Sequence, residues 1–378
     1  MFYKKVICPL LFATFKDAEK AHGFGLKTLR ILEYVPGALP IIGMLNDQPD
    51  ETLVGQKLFG LYFNNPVGLA AGMDKNAVAL PGFQALGFGF LEIGGVTTPC
   101  QIGNPTPRLF RLEEDEAIIN RMGFNNDGSA IIAERLKKLR ETEKLKVPVG
   151  VNIGKSKDVP IDDIDAVCAN YRETFETLCP YADFFVINVS SPNTPNLRKL
   201  QGVGLLEKVV FWIQKSNDRM PRRPGEQVKP VLIKIAPDLE DREILDVLES
   251  VENGRLNING IVATNTTLAR PSDLKSKDAS QTGGLSGVPL RKRALHVVSL
   301  IREHNGKIPI IGVGGISSGA DAWNMILCGA NLVQLYTGLV YEGPSLVGEI
   351  QYTIAKHLRG LNKNMTTFHP RVHYRITE

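Results

Sequence analysis

The feature that most limits how this chain can fold is a rhythm. Short apolar, β-rich runs occur at 66–71, 88–94, 147–153, 183–189, 230–235, 260–264, 308–313 and 331–336. Longer segments with polar, helix-like spacing lie between them; 129–140 and 163–178 carry helical periodicity, and Gly319 to Leu327 fills the gap before the last run. Parallel strands need long crossovers, usually helices. Eight such units predict an α/β fold, a (β/α)8 TIM barrel. A doubly wound open sheet is the alternative, but it carries an early glycine fingerprint opening a helix, and that fingerprint is absent.

In a barrel the chemistry sits at the carboxyl ends of the strands. Here those ends read Ala71-Gly72-Met73-Asp74-Lys75, Gly94-Gly95-Val96-Thr97, Asn152, Asn188, Lys234, Thr264-Asn265-Thr266-Thr267, Gly312-Val313-Gly314-Gly315 and Tyr336-Thr337-Gly338. Buried polar groups are costly unless they bind something, so this list predicts a functional pocket. Its most pointed member is Asn188-Val189-Ser190-Ser191-Pro192-Asn193-Thr194-Pro195, which follows the apolar run Phe184–Ile187. Asn amides offer donor and acceptor together, which suits a planar ligand with alternating C=O and N–H groups. Ser, Pro and Asn are also ordinary turn residues, so the octapeptide alone leaves a capped turn open. No histidine lies near Ser191 in sequence. The serine is then a poor nucleophile, and acts instead as a proton acceptor coupled to loss of a hydride.

Gly314-Gly315, followed by Ser317 and Ser318, reads as a phosphate grip, and Thr282-Gly283-Gly284-Leu285-Ser286-Gly287 as a second flexible Gly/Ser loop. Glycines let backbone N–H groups approach an anion. Together, where barrels commonly hold phosphate, they favour a mononucleotide. Lys234 sits inside Val231-Leu232-Ile233-Lys234-Ile235; lysine is rarely buried alone. It calls for a cofactor ring, a phosphate or a structural ion pair. Lys75 is placed to meet a substrate carboxylate.

Bulk properties narrow the class. A chain of 378 residues, 43% hydrophobic and 22% charged, has a globular core to bury. A net charge of +4 gives no case for nucleic acid. The five cysteines form no CxxC pair and the six histidines no ligand pattern, so a reducing compartment and no metal are expected. Residues 6–15 are apolar behind Lys4-Lys5 but too short to span a bilayer. With the loose stripe Leu26, Leu29, Ile31-Leu32 they suggest two short helices, apolar on one side and basic on the other. Such helices lie in a membrane interface or pack on the main domain.

The chain resembles the quinone-dependent, membrane-associated class (class 2) of dihydroorotate dehydrogenases. The resemblance rests on Gly68-Leu-Ala-Ala-Gly-Met-Asp-Lys75, Glu92-Ile-Gly, Asn104-Pro-Thr-Pro-Arg-Leu-Phe-Arg111, Asn120-Arg-Met-Gly-Phe-Asn-Asn126, Asn188 to Pro195, Lys234-Ile-Ala-Pro-Asp238, Ala263-Thr-Asn-Thr-Thr267, Thr282 to Gly287 and Gly312-Val-Gly-Gly-Ile316, in the family order over roughly 60–345. It implies oxidation of dihydroorotate to orotate in pyrimidine (UMP) synthesis. Ser191 would take the C5 proton and FMN the C6 hydride, with Thr194 and Phe124 as relay and shield. Lys75, Asn120, Arg121, Met122, Gly123, Phe124, Asn188, Asn193, Asn265 and Thr266 would bind substrate. Ala71, Gly72, Lys75, Gly95, Asn152, Asn188, Lys234 and Thr264 would hold the flavin, and Gly287, Gly315, Tyr336 and Thr337 its phosphate. Ubiquinone or another membrane quinone would enter a tunnel lined by His22, Arg111 and Tyr336. Gly95 stands where many members have serine or threonine, so one flavin contact is expected to be missing.

The expected organisation is a helical membrane and tunnel segment at 1–36, an FMN barrel at 50–360 and a polar, disordered tail at 361–378. A monomer, peripheral on the cytoplasmic face of a bacterial inner membrane, is favoured over a mitochondrial protein, because no presequence or transmembrane anchor is visible. Three other functions compete. A soluble enzyme of the same chemistry would carry a cysteine base and no extension. A flavin-binding sensor would lack the base or the asparagines. A sugar-phosphate isomerase needs paired acid and base groups at strand ends, where only Asp74 and Lys234 qualify.

Overall fold

The computed structural model describes residues 2–46, 49–194, 196–222 and 227–369. A π-helical turn Tyr3–Ile7 leads into α1 (Cys8–Thr14), α2 (Ala18–Leu32), α3 (Ala38–Leu45) and α4 (Glu51–Val54). A hairpin follows, β1 (Gln56–Leu58) with β2 (Leu61–Phe63). Then come β3 (Val67–Leu69), α5 (Leu80–Ala85), β4 (Phe90–Val96), β5 (Leu109–Leu112), β6 (Ala117–Asn120), α6 (Ser129–Glu141), β7 (Val149–Ile153), α7 (Ile164–Leu178), β8 (Phe184–Asn188) and α8 (Val203–Arg219). The chain continues with β9 (Val231–Ile235), α9 (Asp241–Glu252), β10 (Gly260–Ala263), β11 (Gly284–Gly287), α10 (Arg291–His304), β12 (Ile310–Val313), α11 (Gly319–Leu327), β13 (Leu332–Leu335), α12 (Thr337–Glu342) and α13 (Ser345–Gly360).

Eight of these strands close a parallel barrel in the order β3-β4-β7-β8-β9-β10-β12-β13, with β13 pairing back to β3. Each coincides with one of the apolar runs read from the sequence. Because side chains alternate along a strand, one set fills the barrel and the other meets the helices. Phe90, Phe184, Val186, Leu232, Val262, Ile311 and Leu332 pack inside, with Phe63 of the hairpin among them. Phe185, Ile187, Ile233 and Ile261 face outward into the larger core shared with the helices. The inner apolar layers stop short of the carboxyl end, where polar side chains take over.

Two elements depart from the expected pattern. The Thr282–Gly287 stretch is no flexible loop. Gly284–Gly287 forms β11, which joins β6 and β5 in an antiparallel sheet over the barrel mouth. Glycine is required there, since a Cβ on Gly287, at φ +99, would meet the Glu116 carbonyl at 2.3 Å. The N-terminal region also holds a third apolar helix, α3, behind the αL residue Gly37.

The helix α2 is tied down by charge as well as by packing. Asp17 caps it through the Glu19 and Lys20 N–H groups. Glu19 receives Arg108 Nε at 2.9 Å and Nη2 at 2.7 Å, while Arg108 Nη1 donates to the Ile102 and Asn104 carbonyls at 2.7 and 2.8 Å. Glu19→Ala strips a nearly buried guanidinium of its carboxylate. It is expected to cost about 1–3 kcal/mol, read as a lower denaturant midpoint at unchanged slope.

Of the polar tail, two side chains pack on the barrel, Met365, which is buried, and Phe368, which lies against Trp323 at 5.1 Å between ring centroids; most of residues 361–369 are exposed. The rest of that segment, 370–378, lies outside the described residues, as does Pro195. No described helix is long and apolar enough to cross a membrane.

Candidate functional site

The polar layer at the carboxyl end is one connected network. Glu92 of β4 is fully buried and accepts from Asn152 Nδ2 at 2.8 Å and from Gln334 Nε2 at 2.5 Å. Asn152 Oδ1 in turn accepts Asn188 Nδ2 at 2.8 Å. Asn188 Oδ1 receives Ser190 Oγ at 3.2 Å, and Ser190 Oγ receives Asn265 Nδ2 at 2.9 Å. Four strands and two loops are thus locked by amide pairs, which fixes each amide's orientation.

Above this floor lies a cavity of about 960 Å³ between its walls, mouth included. Ala71, Gly72, Lys75, Gly95, Asn120, Met122, Gly123, Phe124, Asn188, Ser191, Asn193, Lys234, Thr264, Asn265, Thr266, Gly287, Gly315, Tyr336 and Thr337 all line it. Two expected members stand apart. Asn152 is beneath the cavity and acts through Asn188. The Arg121 guanidinium turns away to Gln281 Oε1 at 2.9 Å and stacks on Phe110 at 4.5 Å, because the β5–β6 sheet points it across the β11 approach.

The substrate-side wall is built from three loops. Asn193 Nδ2 donates to Asn120 Oδ1 at 2.9 Å, and Asn104 Nδ2 holds the Asn193 carbonyl at 3.2 Å. Ser191 Oγ accepts the Asn193 N–H at 3.3 Å, leaving its proton and second lone pair to the cavity. Arg198 steadies this loop: Nε donates to the Ser190 carbonyl at 3.2 Å and Nη2 to the Thr266 carbonyl at 3.1 Å, while Nη1 pairs with Asp238 at 2.5 Å. Lys75 Nζ donates to the Gly123 carbonyl at 3.1 Å and to Asn125 Oδ1. Burial, reinforced by Arg108, brings the Lys75 pKa down to about 7.

Phe124 divides this cavity from a second opening lined by Cys100, Lys155, Asn193 and Thr194. Its ring lies between two glycines, where a Cβ on Gly95 would meet it at 2.5 Å and one on Gly154 at 2.6 Å. With the Phe124 ring in this position there is no room for a side chain at Gly95. Asp74 is no free acid: its buried carboxylate accepts the N–H groups of Asn76, Val78 and Ala79 and shapes the turn behind Lys75.

On the far side of Tyr336 a third, mostly apolar cavity of about 1260 Å³ on the same measure opens between α2 and the barrel. It brings together His22, Arg111 and Tyr336 with Leu26, Leu29, Phe83 and Leu339. Burial drives the His22 pKa down to about 4, with the Lys75 charge helping, so the imidazole is neutral near pH 7. Arg111 Nη2 donates to the Phe15 and Lys16 carbonyls at 2.5 and 3.1 Å, but Nη1 is buried without a partner.

Sequence reasoning gave no role to Glu92, Gln334, Asn125, Ser190 or Arg198. The signal that marked Lys234 was equally present for two of them: Glu92 in Phe90-Leu91-Glu92-Ile93 and Gln334 in Leu332-Val333-Gln334-Leu335 are polar side chains inside apolar strands. Among the described residues no group of three or more His, Cys, Asp or Glu comes together.

The cavity asks for a polar, flat occupant. Gln334 Oε1 and Thr266 Oγ1 are buried with no partner, and Lys234, 5% exposed, presents an ammonium with no protein acceptor among the described residues. Gly314 and Gly315, at φ +133 and +73, border the same space, and a Cβ on Gly315 would meet Arg291 at 2.5 Å. These residues fit a mononucleotide cofactor: donors and an acceptor toward its ring, side-chain-free backbone toward its phosphate.

A (β/α)8 barrel with a mononucleotide cradle, a serine among asparagines and an apolar cavity one tyrosine away is the build of a flavin-dependent oxidoreductase. Comparison with known proteins makes the class definite. The dihydroorotate dehydrogenase family model matches residues 53–358. A dihydroorotate dehydrogenase (quinone) of Chloroflexus aurantiacus is 47% identical over 363 residues, covering 94% of this chain and 97% of the relative. The corresponding protein of Natronomonas pharaonis is 46% identical, covering 94% of each. The crystal structure of the Eimeria tenella dihydroorotate dehydrogenase in complex with ferulenol superposes with a TM-score of 0.85 at 35% identity, covering 97% of this chain and 99% of that one. The chain belongs to the dihydroorotate dehydrogenase family.

Proposed function

We propose that this chain oxidises dihydroorotate to orotate in UMP synthesis, with FMN as hydride acceptor and a membrane quinone as final oxidant. The observation that carries this reading is the joint wall: Tyr336 lines both the polar cavity that holds Ser191 and the apolar cavity that holds His22 and Arg111. Substrate and quinone then reach opposite sides of one cofactor without meeting.

The flavin, when bound, supplies the two-electron store between the two half-reactions. The protein supplies the rest. Asn120, Asn193, Asn188 and Asn265 present amides to the alternating C=O and N–H edges of the pyrimidine ring, and Lys75 and Thr266 complete the contacts. Ser191 Oγ takes the C5 proton while the C6 hydride departs, so substrate loses H⁺ and H⁻ and becomes orotate. The proton leaves past Phe124 to Thr194 and the second opening. Lys234 and Gln334 would hold the flavin ring, and Gly287, Gly315, Tyr336 and Thr337 its phosphate. On the quinone side, the unpaired Arg111 Nη1 is a donor looking for a carbonyl in apolar surroundings, where an unmet donor costs about 1–3 kcal/mol.

The N-terminal segment serves as tunnel roof and membrane contact. Phe2, Val6, Leu10, Phe24 and Ile31 are exposed, with Lys5, Lys16, Lys20, Lys27 and Arg30 interspersed. Apolar side chains with a basic surround suit an anionic bilayer surface. On this reading the protein is a monomer bound peripherally at the cytoplasmic face of an inner membrane. The cofactor assignment is tested by denaturing the purified protein and weighing the released flavin. One FMN per chain is expected; FAD, or no flavin, contradicts it.

A further inference from the structure

Glu92 has no task in the reaction as described. It does not border the cavity, it touches no substrate position, and it is 0% exposed. A buried carboxylate costs several kcal/mol unless charge and lone pairs are both answered. Asn152 and Gln334 answer the lone pairs at 2.8 and 2.5 Å, but both are neutral. The cation that shares this interior layer is Lys234 of β9, which lies in register with Asn188 and so one amide pair, Asn188 to Asn152, away from the Glu92 carboxylate; it makes no ion pair with Glu92, and the attraction acts across the layer. The other groups facing the pair from β7, β8, β10 and β13 are Asn152, Asn188, Thr264 and Gln334, all uncharged. The second cation of the cavity wall, Lys75, is engaged with Gly123 and Asn125.

We propose that Glu92 is a positioning residue for the flavin: it orients Lys234 and Asn188 from below and, as the buried counter-charge, keeps the Lys234 cation in place while limiting its pull on the flavin's electrons. The inference rests on the flavin reading of the cavity. Burial alone favours a neutral Lys234, and the carboxylate opposes this. A cation beside the ring stabilises the electron-rich reduced flavin and raises its reduction potential. A carboxylate behind that cation brings the potential back down. The pair therefore sets the potential as a balance, and each member shifts it in the opposite sense.

Glu92→Gln tests this with the fold kept. Asn152 can still donate to the new amide oxygen. Gln334 can turn its amide over, so that its unpaired Oε1 accepts from the new amide nitrogen. The measurement is the flavin midpoint potential of the holoenzyme at pH 6 and pH 9, with flavin content and denaturation midpoint as fold controls. At pH 6 Glu92→Gln is expected to favour the reduced flavin about tenfold, ~30 mV for a two-electron couple. The gap narrows toward pH 9, because burial lowers the Lys234 pKa and the variant lacks the carboxylate that opposes this. Lys234→Met shifts the potential down by a similar factor, and the double variant returns near the wild-type value. An unchanged or lowered potential in Glu92→Gln at pH 6, or single shifts that fail to cancel in the double variant, overturns the proposal. If Glu92→Gln does not fold, Lys234→Met decides alone: no fall in potential overturns it. A wild-type protein that holds no flavin overturns the reading of the cavity itself, a result distinct from flavin bound with potentials unmoved.

Discussion

Ser191→Ala retains its flavin and slows flavin reduction by dihydroorotate about 10²–10⁴-fold, the usual worth of a positioned general base. The serine reaches the cavity from a loop held at three points that do not involve its hydroxyl, by Asn104 on the Asn193 carbonyl, by Arg198 on the Ser190 carbonyl and by Asn193 Nδ2 on Asn120 Oδ1. Removing one hydroxyl leaves those ties untouched, so the loop stays in place and substrate still binds through Asn120 and Asn193. Stopped-flow reduction at saturating dihydroorotate separates the two effects: the limiting rate falls while the substrate dissociation constant changes little. A limiting rate within threefold of wild type would mean that another group takes the proton. Because serine is a weak base unaided, the rate in wild type should also respond to its outlet, where Phe124 and Thr194 stand.

The second large effect lies on the other side of Tyr336. Gly25 of α2 borders the apolar cavity, and a Cβ placed on it meets nothing within 4 Å. The Cβ of Gly25→Phe thus meets no clash, and replacing a mid-helix glycine favours the helix by a few tenths of a kcal/mol, while the ring is expected to obstruct the passage. Quinone KM is expected to rise about tenfold or more, ~1.4 kcal/mol of lost binding, while flavin reduction by dihydroorotate keeps its rate. Equal loss in both half-reactions would show that the variant disturbs the barrel, and unchanged quinone kinetics would place the quinone elsewhere.

These two sites were not equally legible in the sequence. The barrel was readable because parallel strands buried on both faces leave dense apolar runs, and all eight appear where those runs lie. The substrate wall was readable because amides and hydroxyls at strand ends are costly without a ligand. What escaped is what depends on register across the chain. The Thr282–Gly287 stretch looks like a loop until Ala117–Asn120 is known to lie beside it. Arg121 sits within a binding motif, but its side-chain direction follows from the small sheet and not from the motif. Arg198 looks like a surface charge in sequence; only folding brings Ser190, Thr266 and Asp238 around its guanidinium. Glu92 and Gln334 lie 242 positions apart, and no local pattern announces that they meet. That the Phe124 ring lies against the glycine at 95 is likewise visible only in the fold.

The central claim, that one bound flavin is reduced from the Ser191 side and reoxidised from the His22 side, is met most directly by anaerobic visible spectroscopy of the purified protein. Dihydroorotate is added first, then a short-chain ubiquinone. The account predicts a yellow protein that bleaches with dihydroorotate, stays bleached without oxidant and recovers its colour with quinone. A colourless protein, or a flavin that dihydroorotate leaves oxidised, would contradict it.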